Sequence, residues 1–198
     1  ADSEALRAAA LAAAALARED YLVSFGITAD RPETGYGYIE SEGHTVKRFV
    51  EKPDLKTAQE YVASGKYLWN SGMFCMTTET AMAELKRYAP AVFDAVEKSL
   101  QASHRVEGTG QYQIDLDAAT FKKADSISID YALMEKTTYA AIVACNIGWS
   151  DIGSWSSLWS VAQRDHDGNR HEGDVIAVDT RDCLVRASDR RLVATLGV

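Results

Sequence analysis

Apolar and polar positions divide this chain into short alternating and periodic stretches. Residues 3–19 are rich in alanine, the strongest helix former, and predict a first helix capped from Asp2 or Ser3 with acidic Glu4 in its first turn. The run Leu22-Val23-Ser24-Phe25 predicts a buried strand over residues 21–27. Residues 36–40 and 45–51 alternate weakly and carry aromatic or β-branched members, so both read as strands, the second stopped by Pro53. Helices are predicted over residues 55–64 (ended by Gly65), 78–88 (stopped before Pro90), 91–102 and 130–136. Residues 73–76 and 139–145 read as strands, while residues 104–120 give only weak signals.

The grain changes after Trp149. Residues 154–162 form an apolar helix with Trp155, Leu158 and Trp159 on neighbouring faces. Asp167-Gly168-Asn169 is a turn, and short strands follow over residues 174–178, 183–185 and 191–194, separated by polar turns. The pattern predicts an α/β body over residues 1–165 and the first coils of a small β domain, β-helix-like, over residues 166–198. The open strand edge after Gly173 invites association, and a homodimer is one partner that it allows.

Lys and Arg number 21 against 29 Asp and Glu, a net charge of −8, which argues against nucleic acid as a partner. Cys75, Cys145 and Cys183 are widely spaced and odd in number, so neither a disulfide framework nor a zinc knuckle is expected, and a reducing, cytoplasmic setting fits. The alanine run is broken by Glu4, Arg7, Arg18 and Glu19 and reads as a helix in water, so no membrane span or signal peptide is expected.

Candidate chemistry gathers at a few places. Glu51-Lys52 stands at a predicted strand end, where both side chains can lean into one cavity. Lys52 suits a phosphate oxygen and Glu51 suits hydroxyls; a solvated charge pair is the alternative. Gly35 and Gly37 flank Tyr36 and either permit close ligand approach or form a tight turn. Asn70, ahead of Ser71 and Gly72, offers the donor and acceptor that a vicinal hydroxyl pair needs, or starts an Asx turn. Asp151 is either a metal carboxylate or a helix cap, and Asp130 either caps a helix or lines the same cavity. His44, His104, His166 and His171 share no motif and read as surface or turn residues.

Taken in order, Arg31-Pro32-Glu33-Thr34-Gly35-Tyr36-Gly37-Tyr38-Ile39, Phe49-Val50-Glu51-Lys52-Pro53, Trp69-Asn70-Ser71-Gly72-Met73-Phe74, residues 128–135 and residues 148–155 resemble the sugar-nucleotide pyrophosphorylases, in particular the bacterial mannose-1-phosphate guanylyltransferases. The resemblance implies a Rossmann-like nucleotidyltransferase domain with a mixed sheet. It implies GTP and α-D-mannose 1-phosphate as substrates, GDP-mannose and pyrophosphate as products, and Mg²⁺ as cofactor. Lys52 would grip the sugar's phosphate. Glu51, Asn70 and the Gly37 amide would bond its hydroxyls, with Gly72 and Asp130 beside them, and Asp151 would supply one magnesium carboxylate. The family's glycine-rich triphosphate loop and its second metal-binding Asp have no counterpart here. The chain therefore reads as the sugar-binding half of that domain, inactive by itself. Rival readings are a UTP- or dTTP-dependent enzyme acting on glucose 1-phosphate, and a noncatalytic sugar-phosphate-binding fragment.

Overall fold

The computed structural model of the chain describes residues 2–108 and 111–198. It divides into two compact units, Ala1–Trp149 and Ser150–Val198. The helix expected at residues 154–162 therefore groups with the C-terminal strands.

The first unit is built on a five-stranded mixed sheet. Its strands are β1 (Leu22–Thr28), β2 (Tyr38–Glu42), β3 (Thr45–Val50), β4 (Tyr67–Cys75) and β7 (Ala140–Cys145), in the order β1-β4-β2-β3-β7. β7 runs parallel to β1, and the other pairs are antiparallel. One contact between Thr45 and Ala141 brings β3 to β7 and closes the sheet on itself. β1 is buried on both faces over Leu22–Ile27, which explains a run in which Ser24 is the single polar side chain.

One face is covered by α1 (Ser3–Ala17), two residues shorter than expected. The Asp2 carboxylate caps it, accepting from the amides of Glu4 and Ala5 at 3.0 and 3.1 Å. Ala9, Ala13 and Ala17 stand four residues apart, so they share one face, buried against Val23, Phe25 and Ala141. Methyl-sized side chains let the helix lie close to the sheet. The opposite face buries Leu22 and Ala140 against Ala132, Leu133 and Met134, with Leu85, Tyr88 and Val92 packed alongside. These last three come from α3 (Thr78–Tyr88) and α4 (Pro90–Gln101). α2 (Leu55–Ser64) is capped by Asp54 and ended by left-handed Gly65, as expected, and packs Ala58 and Tyr61 against Tyr38 and Trp69.

Three elements differ from expectation. β4 begins at Tyr67, six residues before the predicted Met73. Residues 104–120 contain an antiparallel hairpin, β5 (His104–Gly108) with β6 (Gln111–Asp115), and a short helix α5 (Ala118–Phe121); residues 109 and 110 lie outside the described residues. The helix expected at 130–136 is a single π turn, Asp130–Met134, closed by the Glu135 amide donating to the Asp130 carbonyl at 3.0 Å.

The second unit carries α6 (Trp155–Val161) and four short strands, β8 (Arg170–Glu172), β9 (Asp174–Val178), β10 (Leu184–Arg186) and β11 (Leu192–Leu196). β10 pairs parallel with β8, and β11 parallel with β9. This is the stacking of two successive coils in a β-helix-like arrangement. Buried Asn169 ties them together: its Nδ2 donates to the Thr180 carbonyl at 2.8 Å, and its Oδ1 accepts from the Cys183 amide at 3.0 Å. Gly173 turns the corner with φ +83°, where a Cβ would lie 2.5 Å from the Ala187 carbonyl oxygen. His171 stands half-buried within β8, rather than at the surface or in a turn.

Candidate active site

The start of β2, the end of β3 and the bulged middle of β4 converge around Gly37. The Asn70 amide donates to the Gly37 carbonyl at 2.8 Å, and the Lys52 amide donates to the Tyr36 carbonyl at 3.2 Å. The two candidate glycines separate here. Gly35 is exposed, with open space where a side chain would be, so the turn reading suffices for it. Gly37 is buried, and a Cβ on it would lie 2.5 Å from Glu51 Oε2 and 3.2 Å from the Asn70 Cβ. Only glycine lets that carboxylate and that carboxamide close in together.

Asn70 is buried, with both ends of its amide used. Nδ2 donates to Asp130 Oδ1 at 2.9 Å, and Oδ1 accepts from the Gly72 amide at 3.2 Å. That second bond is the Asx-type contact offered above as the alternative. It occurs inside a strand, because β4 carries a bulge there: Ser24 faces Phe74, yet Gly26 faces Asn70. Gly72, exposed and at φ +72°, absorbs the bulge. Bulges next to active sites re-aim side chains in this way.

The Glu51 side chain is only 9% exposed, and its Oε2 is buried without a hydrogen-bond partner among the described residues. Its Oε1 lies 3.5 Å from Lys52 Nζ, which is itself 58% exposed. Burial holds the Glu51 carboxyl above the usual glutamate range; the charge of Asp130 adds to the rise, Lys52 opposes it and Glu135 adds slightly. Lys52 has a left-handed backbone, φ +49°, which is uncommon outside glycine. Strain of this kind is usually held in place by the surroundings. Beside the site, Trp69 and Tyr36 meet edge-on, Tyr36 meets Trp149 in the same way, and the Arg31 guanidinium lies 5.0 Å from the Trp69 ring centre.

Gly37, Glu51, Lys52, Asn70, Gly72 and Asp130 thus meet in one place. Asp151 belongs to the second unit, where it is exposed and has no hydrogen-bond or ion-pair partner among the described residues. Its alternative role as a cap falls to Ser154, whose hydroxyl accepts from the Ser157 amide at 3.1 Å. Among the described residues no group of three or more His, Cys, Asp or Glu is arranged to hold a metal ion. A hard divalent cation wants several oxygen ligands, so these residues do not by themselves make up a magnesium site. Glu135, to which no sequence motif assigns a role, accepts a hydrogen bond from the Glu51 amide at 3.3 Å.

The second unit also has an open depression of about 680 Å³ edged by Arg164, Asp165, Asp167 and Arg181, and none of the sequence-predicted site residues lines it. Its Asp165 carboxylate is already used by the turn, accepting from the amides of Asp167 and Asn169 at 3.0 and 2.8 Å. Those bonds, that to Asn169 foremost, hold it below the usual aspartate range.

A mixed α/β sheet thus gathers an ammonium, a half-satisfied carboxylate and a carboxamide around Gly37. The chain belongs to the nucleotidyl transferase family, whose model matches residues 3–168. It is 46% identical over its full length to the xanthan biosynthesis protein XanB of Xanthomonas campestris, and 45% identical to the mannose-1-phosphate guanylyltransferase of Escherichia coli. It spans 42% of the length of each of these relatives. Among solved structures, a protein described as mannose-1-phosphate geranyltransferase from Thermus thermophilus matches 99% of this chain with a TM-score of 0.77 and 35% identity, 56% of that chain being covered.

Proposed function

We propose that this chain is the sugar-phosphate-binding part of an enzyme that transfers the guanylyl group of GTP to α-D-mannose 1-phosphate. In that reaction a phosphate oxygen of the sugar attacks the α-phosphorus of GTP. The new P–O bond forms as the bond to the β-phosphate breaks, releasing GDP-mannose and pyrophosphate. The names of the relatives support this reading, and so does the chemistry of the site. The observation that carries it is the unpartnered Glu51 Oε2 beside Gly37. A buried carboxylate oxygen lacking a donor is costly to keep, and a sugar hydroxyl is the donor that would relieve it.

The charges orient the ligand. Glu51, Asp130 and Glu135 repel a phosphate, so the hydroxyl-bearing ring faces them. Lys52, with its ammonium largely in solvent, takes the phosphate as a point charge. Asn70 and the Gly37 amide complete the hydroxyl contacts, and Gly72 stands beside them with its amide donating to Asn70 Oδ1, which steadies the carboxamide. The protein's contribution is alignment of two anions. Asp151 would lend one carboxylate to a bound Mg²⁺, in a ligand set that the described residues do not complete.

The same reading assigns residues 1–165 to the nucleotidyltransferase domain and residues 166–198 to the start of a β domain; the family match ends near that boundary, at residue 168, whereas the compact units divide earlier, after Trp149. A cytoplasmic setting accords with three free cysteines, and no helix among the described residues is long and apolar enough to cross a membrane. Nucleic acid is not a partner, given the net charge of −8. A homodimer would use the edge of β9 and β11, where Ile176, Val178, Leu192 and Leu196 are exposed.

Calorimetric titration tests the site directly. Mannose 1-phosphate should bind, and more tightly than mannose 6-phosphate, which sets its phosphate at the wrong end of the ring. Lys52→Ala and Asn70→Ala should each weaken binding about tenfold or more. Binding of both sugars alike, or binding untouched by either substitution, would overturn the assignment.

A further inference from the structure

We propose that Glu135 is a positioning residue for the candidate site, and that the π turn Asp130–Met134 is the device that lets it act together with Asp130. Each residue grips a different strand of the site. Asp130 Oδ1 accepts from Asn70 Nδ2 at 2.9 Å, which orients the carboxamide on β4. Glu135 Oε1 accepts from the Glu51 amide at 3.3 Å, just past the end of β3.

The spacing matters. In an α-helix, at 3.6 residues per turn, positions five apart point about 140° away from one another. A turn closed by a bond from residue i+5 to residue i brings the two ends back to the same side. The bond from the Glu135 amide to the Asp130 carbonyl is that closure. One extra residue per turn therefore converts two divergent carboxylates into a pair that can hold two strands at once.

The turn is a firm support. Ala132, Leu133 and Met134 are buried in the core beneath it. Just beyond it, the Thr137 hydroxyl donates to buried Glu84 at 2.6 Å. What it supports is a segment held away from its preferred conformation, since Lys52 has φ +49°. Two amide bonds hold that segment: Lys52 to the Tyr36 carbonyl and Glu51 to Glu135. Of the two, only the second depends on a side chain. Glu135 thereby sets the direction of both the Glu51 carboxylate and the Lys52 ammonium while touching neither side chain's tip.

The ligand arm of the test rests on the function proposed above; the backbone arm does not. Amide hydrogen exchange is read by nuclear magnetic resonance in the full chain, Glu135→Ala and Glu135→Gln, and each protein is titrated with mannose 1-phosphate. Glu135→Ala should speed exchange at the Glu51 amide about tenfold and weaken mannose 1-phosphate by a similar factor. Glu135→Gln, whose carbonyl still accepts, should restore both. Unchanged exchange in Glu135→Ala, or a glutamine variant that behaves like the alanine one, overturns the proposal. If exchange follows this pattern but no variant binds the sugar phosphate, the positioning role stands and the substrate assignment fails.

Discussion

Replacing Glu51 by glutamine should make the protein more stable at neutral pH and a worse binder. In the folded chain Oε2 is buried without a partner, and Asp130 and Glu135 add like charge. A buried acceptor left unsatisfied costs about 1–3 kcal/mol. The opposing attraction, to Lys52 at 3.5 Å, is spread over an ammonium that is 58% exposed and is worth about 0–1 kcal/mol after solvent screening. Glutamine keeps the shape, removes the charge and offers an NH2 group to the neighbouring carboxylates. The net gain is about 1 kcal/mol, or roughly 2–4 °C in thermal midpoint for a chain of this size. The sign with pH follows from the raised pKa of this carboxyl in the fold. Its contribution to stability is full below the unfolded-state pKa and is lost as pH rises through the folded-state value. The variant's advantage is therefore open at neutral pH and closes in acid. Binding moves the other way: losing a charged acceptor of a sugar hydroxyl costs about 1.5–3 kcal/mol, or about 10- to 100-fold in affinity. Calorimetric scans at neutral and mildly acidic pH, with a mannose 1-phosphate titration, read all three quantities. A variant less stable than the parent at neutral pH, or an advantage that does not shrink in acid, would refute the reasoning.

Other substitutions probe separate features. Gly37→Ala puts a methyl group 2.5 Å from Glu51 Oε2, so it should cost about 1–3 kcal/mol by chemical denaturation and abolish measurable sugar-phosphate binding. Gly173→Ala combines a left-handed backbone with a clash at the Ala187 carbonyl; it should destabilise the second unit by about 1–3 kcal/mol, seen as an earlier unfolding transition, and leave mannose 1-phosphate affinity unchanged. Asn169→Ala leaves the Thr180 carbonyl and the Cys183 amide unpaired and should lower stability by about 2 kcal/mol or more, with faster exchange at the Cys183 amide. Affinity for mannose 1-phosphate should fall as pH drops through the raised pKa of Glu51, at a higher pH than an ordinary glutamate would give, and Glu51→Gln should flatten that profile.

Much of this was legible in the sequence, because local and tertiary preferences agree for most elements. The alanine-rich helix, the buried run of β1, the Gly65 cap and the stop before Pro90 all appear near their expected places. The misses have physical reasons. Asn70-Ser71-Gly72 carries turn signals, yet pairing with β1 on one side and β2 on the other keeps the segment in the sheet, and the turn survives as a bulge. The hairpin of β5 and β6 gives only a faint signal, because apolar and polar residues alternate in it over just Gln111–Asp115, and its described side chains, His104, Gln113, Ile114 and Asp115, are exposed. Candidate residues around Gly37 were recognisable from motif order: Gly37 precedes the start of β2, Glu51-Lys52 follow the end of β3, and Asn70 lies at the bulge within β4. Glu135 was not, because a helical reading of residues 130–136 points it away from Asp130.

The two coils of the second unit are unequal. Arg170 lies beside Leu184, fourteen positions on, whereas Asp174 lies beside Leu192, eighteen positions on. The surplus is accommodated at one corner, residues 187–191, between a bond from the Ala187 amide to the Glu172 carbonyl and one from the Arg191 amide to the Ser188 carbonyl. Because neighbouring coils are locked strand to strand, a one-residue deletion within β8 or β9 would throw every later pairing out of step. That same corner has already absorbed extra length without disturbing either ladder. It is the natural place to graft an epitope or a dye-bearing peptide.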